Sequence, residues 1–546
     1  MHLPDMHLPE QRTADLLLHG GLVRTLDPAH PVAKAVAVRD GTILAVGDDH
    51  ELRWLRGPRT ATVDLAGATL TPGLVDGHLH PVLGLETTAG ADLGGVRDLR
   101  GLRDRIAAER RRAGPGDWIL GWNLDPNVFG EDPVTARVVD EAAGEVPAFL
   151  TFADAHSALA GSAALRLAGV DGPREFGQGA SIACDPAGRP TGHLLEHEAM
   201  DLVRLVIPAE PEARRRARLR RLLREMAAAG LTGGHVMDGD GIELVGDLDA
   251  AGELPVRLRF APWCMPGDGE PGWQELLRAQ RQHGELWRVG GVKLFLDGTI
   301  DGGTAWLEEP DTRGASTRSF WPDPAEFSAA VRFFAAHGVP TATHAIGDAA
   351  VRHVLDTVAG LPDTGARHRV EHLETVPDGQ LRRFAELGVV ASMQPTHAHY
   401  SRADGGDNWS RRLGAPRAGR AWRCRDLADA GATLVLGSDW PIASFDPRRV
   451  LAGARLRRPA GSPEIEPVLP GQALTALMAL AGMTTHAAEA AGESAVAGRI
   501  RPGRRADLTA FTVDPLRAPA DELAEAPIAL TVLNGQITHS TLSGNR

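Results

Sequence analysis

The sequence predicts an α/β protein: a (β/α)8 TIM barrel plus one β-domain formed by both termini. Three observations predict it. Through the middle of the chain, helical stretches alternate with short apolar runs. Several of those runs end in a side chain of metal-ligand type. Both ends of the chain instead show apolar residues at every second position.

Residues 14–71 come first. ADLLLHGGLVRTLD, AKAVAVRDGTILAVGD and RTATVDLAGATLTPG read as short strands broken at HGG, RDG and AG. GRIRPGRRADLTAFTVDP and ALTVLNGQITHS, near the other end, have the same character. Residues 1–71 and 491–546 are therefore assigned to one β-domain, and 72–490 to the barrel. In that middle region, PEARRRARLRRLLREMAAAG, PAEFSAAVRFFAAHG and DGQLRRFAELG read as helices ending in glycine. Each precedes an apolar run: LTGGHVMD, VPTATHA and VVASMQP. Such alternation implies a parallel sheet, with chemistry at the C-terminal ends of its strands.

Residues 82 to about 200 break the rhythm. Their length and the aromatics Trp118, Trp122 and Phe129 favour an insertion over the mouth of the site; an ordinary long connection is the alternative. Trp122 is a candidate substrate contact.

The bulk numbers exclude several classes. At 546 residues more than one domain is expected. A net charge of −13, from 58 basic and 71 acidic residues, argues against a nucleic-acid partner. Three separated cysteines, Cys184, Cys264 and Cys424, give neither a disulfide framework nor a CxxC zinc site and fit a reducing, cytoplasmic setting. No signal peptide and no membrane span of about 20 apolar residues is read. The duplicated MHLP at the start is assigned no function. A small-molecule partner is expected, and a homodimer is left open.

The chemistry lies in five separated pieces. GLVDGHLH puts His78 and His80 on one face of an extended strand, because side chains alternate. His344 ends VPTATH, and His372 ends HRVEH. Neutral imidazoles suit Zn, Ni, Fe or Mn. Glu371 should point away from His372 by alternation and is read as a structural polar residue. Asp439 follows TLVLGS, where a carboxylate is costly unless paired, protonated or metal-bound; a helix N-cap is the alternative. Lys293 sits in the apolar run VKLFLDG. Buried and neutral, it could form a carbamate that bridges two metals; an ion pair with Asp297 is the alternative.

TPGLVDGHLHP, GVKLFLDGTIDGGTAW, THAIGDAAV, RVEHLE and LGSDWPIASFDP together resemble the barrel motifs of the amidohydrolase superfamily. The closer likeness is to amidohydrolase family 3, the YtcJ-like or N-substituted formamide deformylase-like group. It extends to GWNLDPNVF, ADAHSALAGSAAL, PTGHLLEHEA, ASMQPTHA, RLGAPRAGRAWRCRDL and GRIRPGRRADL, nearly the whole chain. The resemblance implies a barrel with a composite sandwich and hydrolysis of non-peptide C–N bonds. It implies one or two divalent ions, zinc first, on His78, His80, Lys293, His344, His372 and Asp439, with Lys293 carbamylated. Asp439 and His372 would be catalytic. His156 matches a substrate-facing histidine, and Arg417 a family arginine able to hold a substrate anion; a surface helix charge is the alternative for Arg417. The chain departs from the family at Ala155, Gly161, Trp422 and Asn123-Leu124, all near the expected pocket. Lactone or phosphoester hydrolysis, and a non-catalytic small-molecule-binding barrel, are the competing expectations.

Overall fold

Eight short runs form parallel strands, numbered here as β1 (Leu74–Leu79), β2 (Leu231–Val236), β3 (Arg257–Phe260), β4 (Val292–Phe295), β5 (Thr341–Ala345), β6 (Arg369–His372), β7 (Val390–Met393) and β8 (Leu434–Leu436). This is a computed structural model, and it describes residues 13–130, 132–153, 155–176 and 180–542. The duplicated MHLP lies outside those residues.

β1, β2 and β3 pair in parallel with the short strand Trp287–Val289 at the edge; β4 to β8 pair in parallel in chain order. Two parallel bridges join these sheets, Trp263 to Lys293 on one side and Leu79 to Trp440 on the other. β2 and β5 to β8 are buried along their whole length. That is why their sequences read as continuous apolar runs rather than alternating ones.

The three expected helices form as Glu212–Ala228, Pro324–Ala336 and Leu381–Glu386. Asp323 caps the second, accepting from the Ala325 N–H, with Pro324 at the first helical position. Gly338 follows that helix at φ 70°, a conformation that favours glycine. Helix faces and strands share one apolar core, from Leu219 and Met226 to Phe327, Phe334 and Phe384.

Strands from the N-terminal and C-terminal regions pair. Thr69–Pro72 pairs antiparallel with Leu508–Phe511, inside a six-stranded sheet that draws strands from both ends. A separate four-stranded sheet holds Leu16–His19, Ala35–Arg39, Thr42–Gly47 and Ala61–Asp64. Leu16, Leu18, Val36 and Ile43 of the second sheet share a core with Leu70, Leu508, Leu530 and Val532 of the first.

The stretch after β1 builds its own six-stranded sheet, from Ala91–Asp92 to Pro190–Leu195. Apolar clusters around Leu102, Ile106 and Phe152, and around Leu194 and Met200, hold it together.

Candidate metal centre

The site forms where β1 ends beside the chain leaving β8. The Asp439 N–H donates to the His78 carbonyl at 2.7 Å, and the His80 N–H to the Trp440 carbonyl at 2.9 Å. This ladder brings three side chains to one point. Asp439 Oδ1 lies 3.4 Å from His78 Nε2 and 3.2 Å from His80 Nε2, and the two nitrogens are 3.3 Å apart.

Each imidazole has its other nitrogen on a carboxylate. His78 Nδ1 is 2.6 Å from Glu371 Oε2, and His80 Nδ1 is 2.9 Å from Asp238 Oδ1. Asp238 is fixed in turn by the Val82 N–H, which donates to its Oδ2 at 2.8 Å. Carboxylates placed so set the tautomer and aim the free Nε2 lone pairs at a shared point.

A second group shares Asp439. One ligand atom each of His372, His397 and Asp439 lies within 4.8 Å of the others, as holds for His78, His80 and Asp439. His372 Nδ1 is 3.6 Å and His397 Nε2 3.8 Å from Asp439 Oδ2. His397 Nε2 is buried without a hydrogen-bond partner among the described residues. A donor set of imidazoles and one carboxylate fits a divalent ion of the zinc type.

Electrostatics follow burial and neighbours. Burial, with Lys293 nearby, pushes His78 down to about 4. Burial opposes charge on His80 too, but its hydrogen bonds to the Asp238 and Asp439 carboxylates outweigh it and push it up to about 9. Burial would raise Asp439; His78, His80 and His397 overcome that and hold its carboxyl well below the usual range.

Lys293 lines the same cavity and is 1 % exposed. Among the described residues no carboxylate lies within 4 Å of its ammonium, which stands over the Phe295 ring at 5.1 Å. Burial pushes its pKa down to about 8. The alternative partner Asp297 is engaged elsewhere: it accepts from the Trp306, Ile346 and Gly347 N–H groups. His344 packs against His372, with ring centroids 4.4 Å apart, while its Nε2 lies 3.1 Å from the Gly298 carbonyl.

The surrounding cavity measures about 700 Å³. The segment after β1 supplies part of its wall, through Asn123, Asp125, His156 and His197. His156 Nδ1 is 2.8 Å from Glu196 Oε2, and Glu196 Oε1 accepts from Thr304 at 2.7 Å.

Three expectations need correction. Glu371 does not turn away from the site. His372 and Leu373 adopt φ of 75° and 50°, so regular alternation stops at the strand end and both Glu371 and His372 reach the centre. Trp122 does not line the cavity; its neighbour Asn123, at φ 62°, does. Arg417 does not either. Its guanidinium donates to the carbonyls of Leu413, Glu309 and Pro310, which fastens the short helix Ala415–Ala418 to the loop at 309–310. Sequence reasoning missed Asp238 and His397. Asp238 ends the apolar run LTGGHVMD just as Asp439 ends its own, and that pattern could have exposed it.

A family model, the amidohydrolase family, matches residues 61–539, and the chain belongs to that family. It is 28% identical over 536 residues to the putative amidohydrolase YtcJ of Bacillus subtilis, covering 95% of this chain and 98% of that one. It is also 28% identical over 548 residues to an N-substituted formamide deformylase of Arthrobacter pascens, covering 96% and 98%. An uncharacterized metal-dependent hydrolase from Pyrococcus horikoshii shares the fold, with a TM-score of 0.72, 23% identity, and coverage of 92% and 99%. The chain is thus a mixed α/β protein of amidohydrolase type, and no helix among the described residues is long and apolar enough to cross a membrane.

Proposed function

We propose that this chain is a metal-dependent hydrolase that cleaves a non-peptide C–N bond, amide, formamide or amidine-like, in a small molecule. One observation carries the reading: His78, His80 and Asp439 converge, and each histidine is oriented by a carboxylate through its other nitrogen. The two bridges between the parallel sheets support a closed eight-stranded barrel. The core shared by the two terminal sheets supports a sandwich of residues 1–71 with 491–546, and the sheet after β1 supports an insertion over the barrel mouth.

His78, His80, His344, His372 and Asp439 would hold the metal, one ion or two, with zinc first. A carbamylated Lys293 would bridge a pair, since burial lowers the amine's pKa and so eases formation of the neutral form that takes up carbon dioxide. Such an ion, when bound, lowers the pKa of water to about 7 and polarises the bond under attack. Asp439 accepts the proton of the attacking water and passes it to the departing nitrogen. His372 stands beside Asp439 and steadies the substrate heteroatom. His156, held by Glu196, lines the same cavity with its ring 5.8 Å from that of His344, and binds the substrate there.

The test is a screen of the purified protein on formamides, N-acyl amino acids, lactones and phosphotriesters. Chelator-sensitive turnover of the C–N substrates is expected. Turnover of lactones or phosphotriesters alone would overturn the bond assignment, and no turnover with tight small-molecule binding would make the chain a binding barrel.

A further inference from the structure

A second cavity, of about 280 Å³, opens at the starts of β1, β2 and β3, opposite the strand ends that carry the metal centre. The segment 283–288 and the stretch 484–507 complete its wall. Five arginines line it: Arg257, Arg259, Arg288, Arg499 and Arg505. Three carboxylates face them: Glu285, Glu493 and Asp507. Five minus three leaves a surplus of two positive charges. The chain as a whole carries −13. His235 also lines the cavity, and burial with Arg369 beside it keeps that imidazole neutral.

The cations outnumber their partners locally as well. Arg288 donates to Glu493 at 2.7 Å, and Arg505 pairs with the same carboxylate. Asp507 serves Arg257 at 3.4 Å and Arg505 at 4.0 Å. Among the described residues, Arg505 Nε is buried without a hydrogen-bond partner. Arg259 spends its donors on the carbonyls of Gly290 and Ala491. Burial, with Arg288 close by, pushes Arg259 down to about 9, as expected where positive charge is crowded.

We propose that this cavity binds a phosphate-type dianion, either inorganic phosphate or the head of a small phosphate monoester. Planar guanidinium forks match the oxygen spacing of phosphate and add charge-assisted hydrogen bonds. The surplus of two charges equals the charge of the ligand. The volume leaves room beyond one phosphate, so a short organic tail fits. This site is independent of the hydrolytic centre and of the function proposed for it.

The metal-loaded protein is titrated by calorimetry with inorganic phosphate and, separately, with glycerol phosphate, both at constant ionic strength. Saturable binding is expected, weakened roughly tenfold in Arg288→Gln and further in Arg257→Gln/Arg288→Gln. Turnover measured without phosphate should stay unchanged in Arg288→Gln. Tighter binding of glycerol phosphate assigns the site to monoesters, and the reverse order to free phosphate. Absence of saturable binding overturns the proposal. So does equal affinity in parent and double variant, which would place the anion at the metal centre. Should the double variant fail to fold, Arg288→Gln alone decides, because that side chain is 44% exposed and tolerates change.

Discussion

Replacing Glu371 by glutamine should weaken metal binding and destabilise the protein through one buried group. The Glu371 side chain has no solvent exposure. Its Oε2 holds His78 Nδ1 at 2.6 Å, and Arg369 donates to Oε1 at 2.5 Å and to Oε2 at 3.0 Å. Glutamine keeps the volume but removes the charge. His78 then loses the anion that fixes its tautomer. Loss of such an outer partner costs about 10–100-fold in metal affinity, or about 1.4–2.8 kcal/mol at about 1.4 kcal/mol per tenfold. Arg369 is left as a buried cation without its bidentate partner, a change worth about 3–5 kcal/mol of stability. Two assays separate these effects. Competition with a chromophoric chelator reads the metal affinity of the folded variant, and urea unfolding of the metal-free protein reads the second. A folded variant with parental metal affinity would refute the role given to Glu371.

Other outcomes follow from the same geometry. Lys293→Met keeps the packing of a buried chain but cannot form a carbamate. Metal analysis should show one equivalent lost, and unchanged stoichiometry would remove the bridge. His156→Ala should lower kcat/KM by roughly 10²-fold, whereas Arg417→Ala should leave it within about twofold and cost about 1–3 kcal/mol of stability; steady-state kinetics and unfolding curves check both. Glu374, which lines the cavity and accepts from Trp409 Nε1 at 2.6 Å, is pushed up by burial to about 8 from a usual 4.5. Between those values the unfolded chain has released a proton that the native protein keeps. The stabilising contribution is therefore complete below about 4.5 and lost as pH rises through about 8. Stability measured across that window should fall in the parent and be flatter in Glu374→Gln; parallel profiles would contradict the assignment.

The strands and their ligand-bearing ends were legible because buried parallel strands must be apolar and a polar residue at their end stands out. His78, His80, His372 and Asp439 emerged that way, and the structure brings them together. Glu371 was misread because alternation holds only while φ stays extended, and the backbone departs from it at His372. Trp122 was misread for a related reason. Asn123 also takes a positive φ, and the cavity receives that neighbour instead. Arg417 could not be placed from sequence, since two of its three partners, Glu309 and Pro310, lie more than 100 residues away. His397 stayed hidden because it sits in a 3-10 turn, Pro395–Tyr400, rather than at a strand end.

The most direct measurement is an anomalous-difference map from crystals of the purified protein, collected at the absorption edge of the metal found by elemental analysis. The expected result is a peak within about 2.2 Å of His78 Nε2, His80 Nε2 and an Asp439 oxygen. A peak elsewhere, or full hydrolytic turnover by protein that carries no metal, would contradict the account.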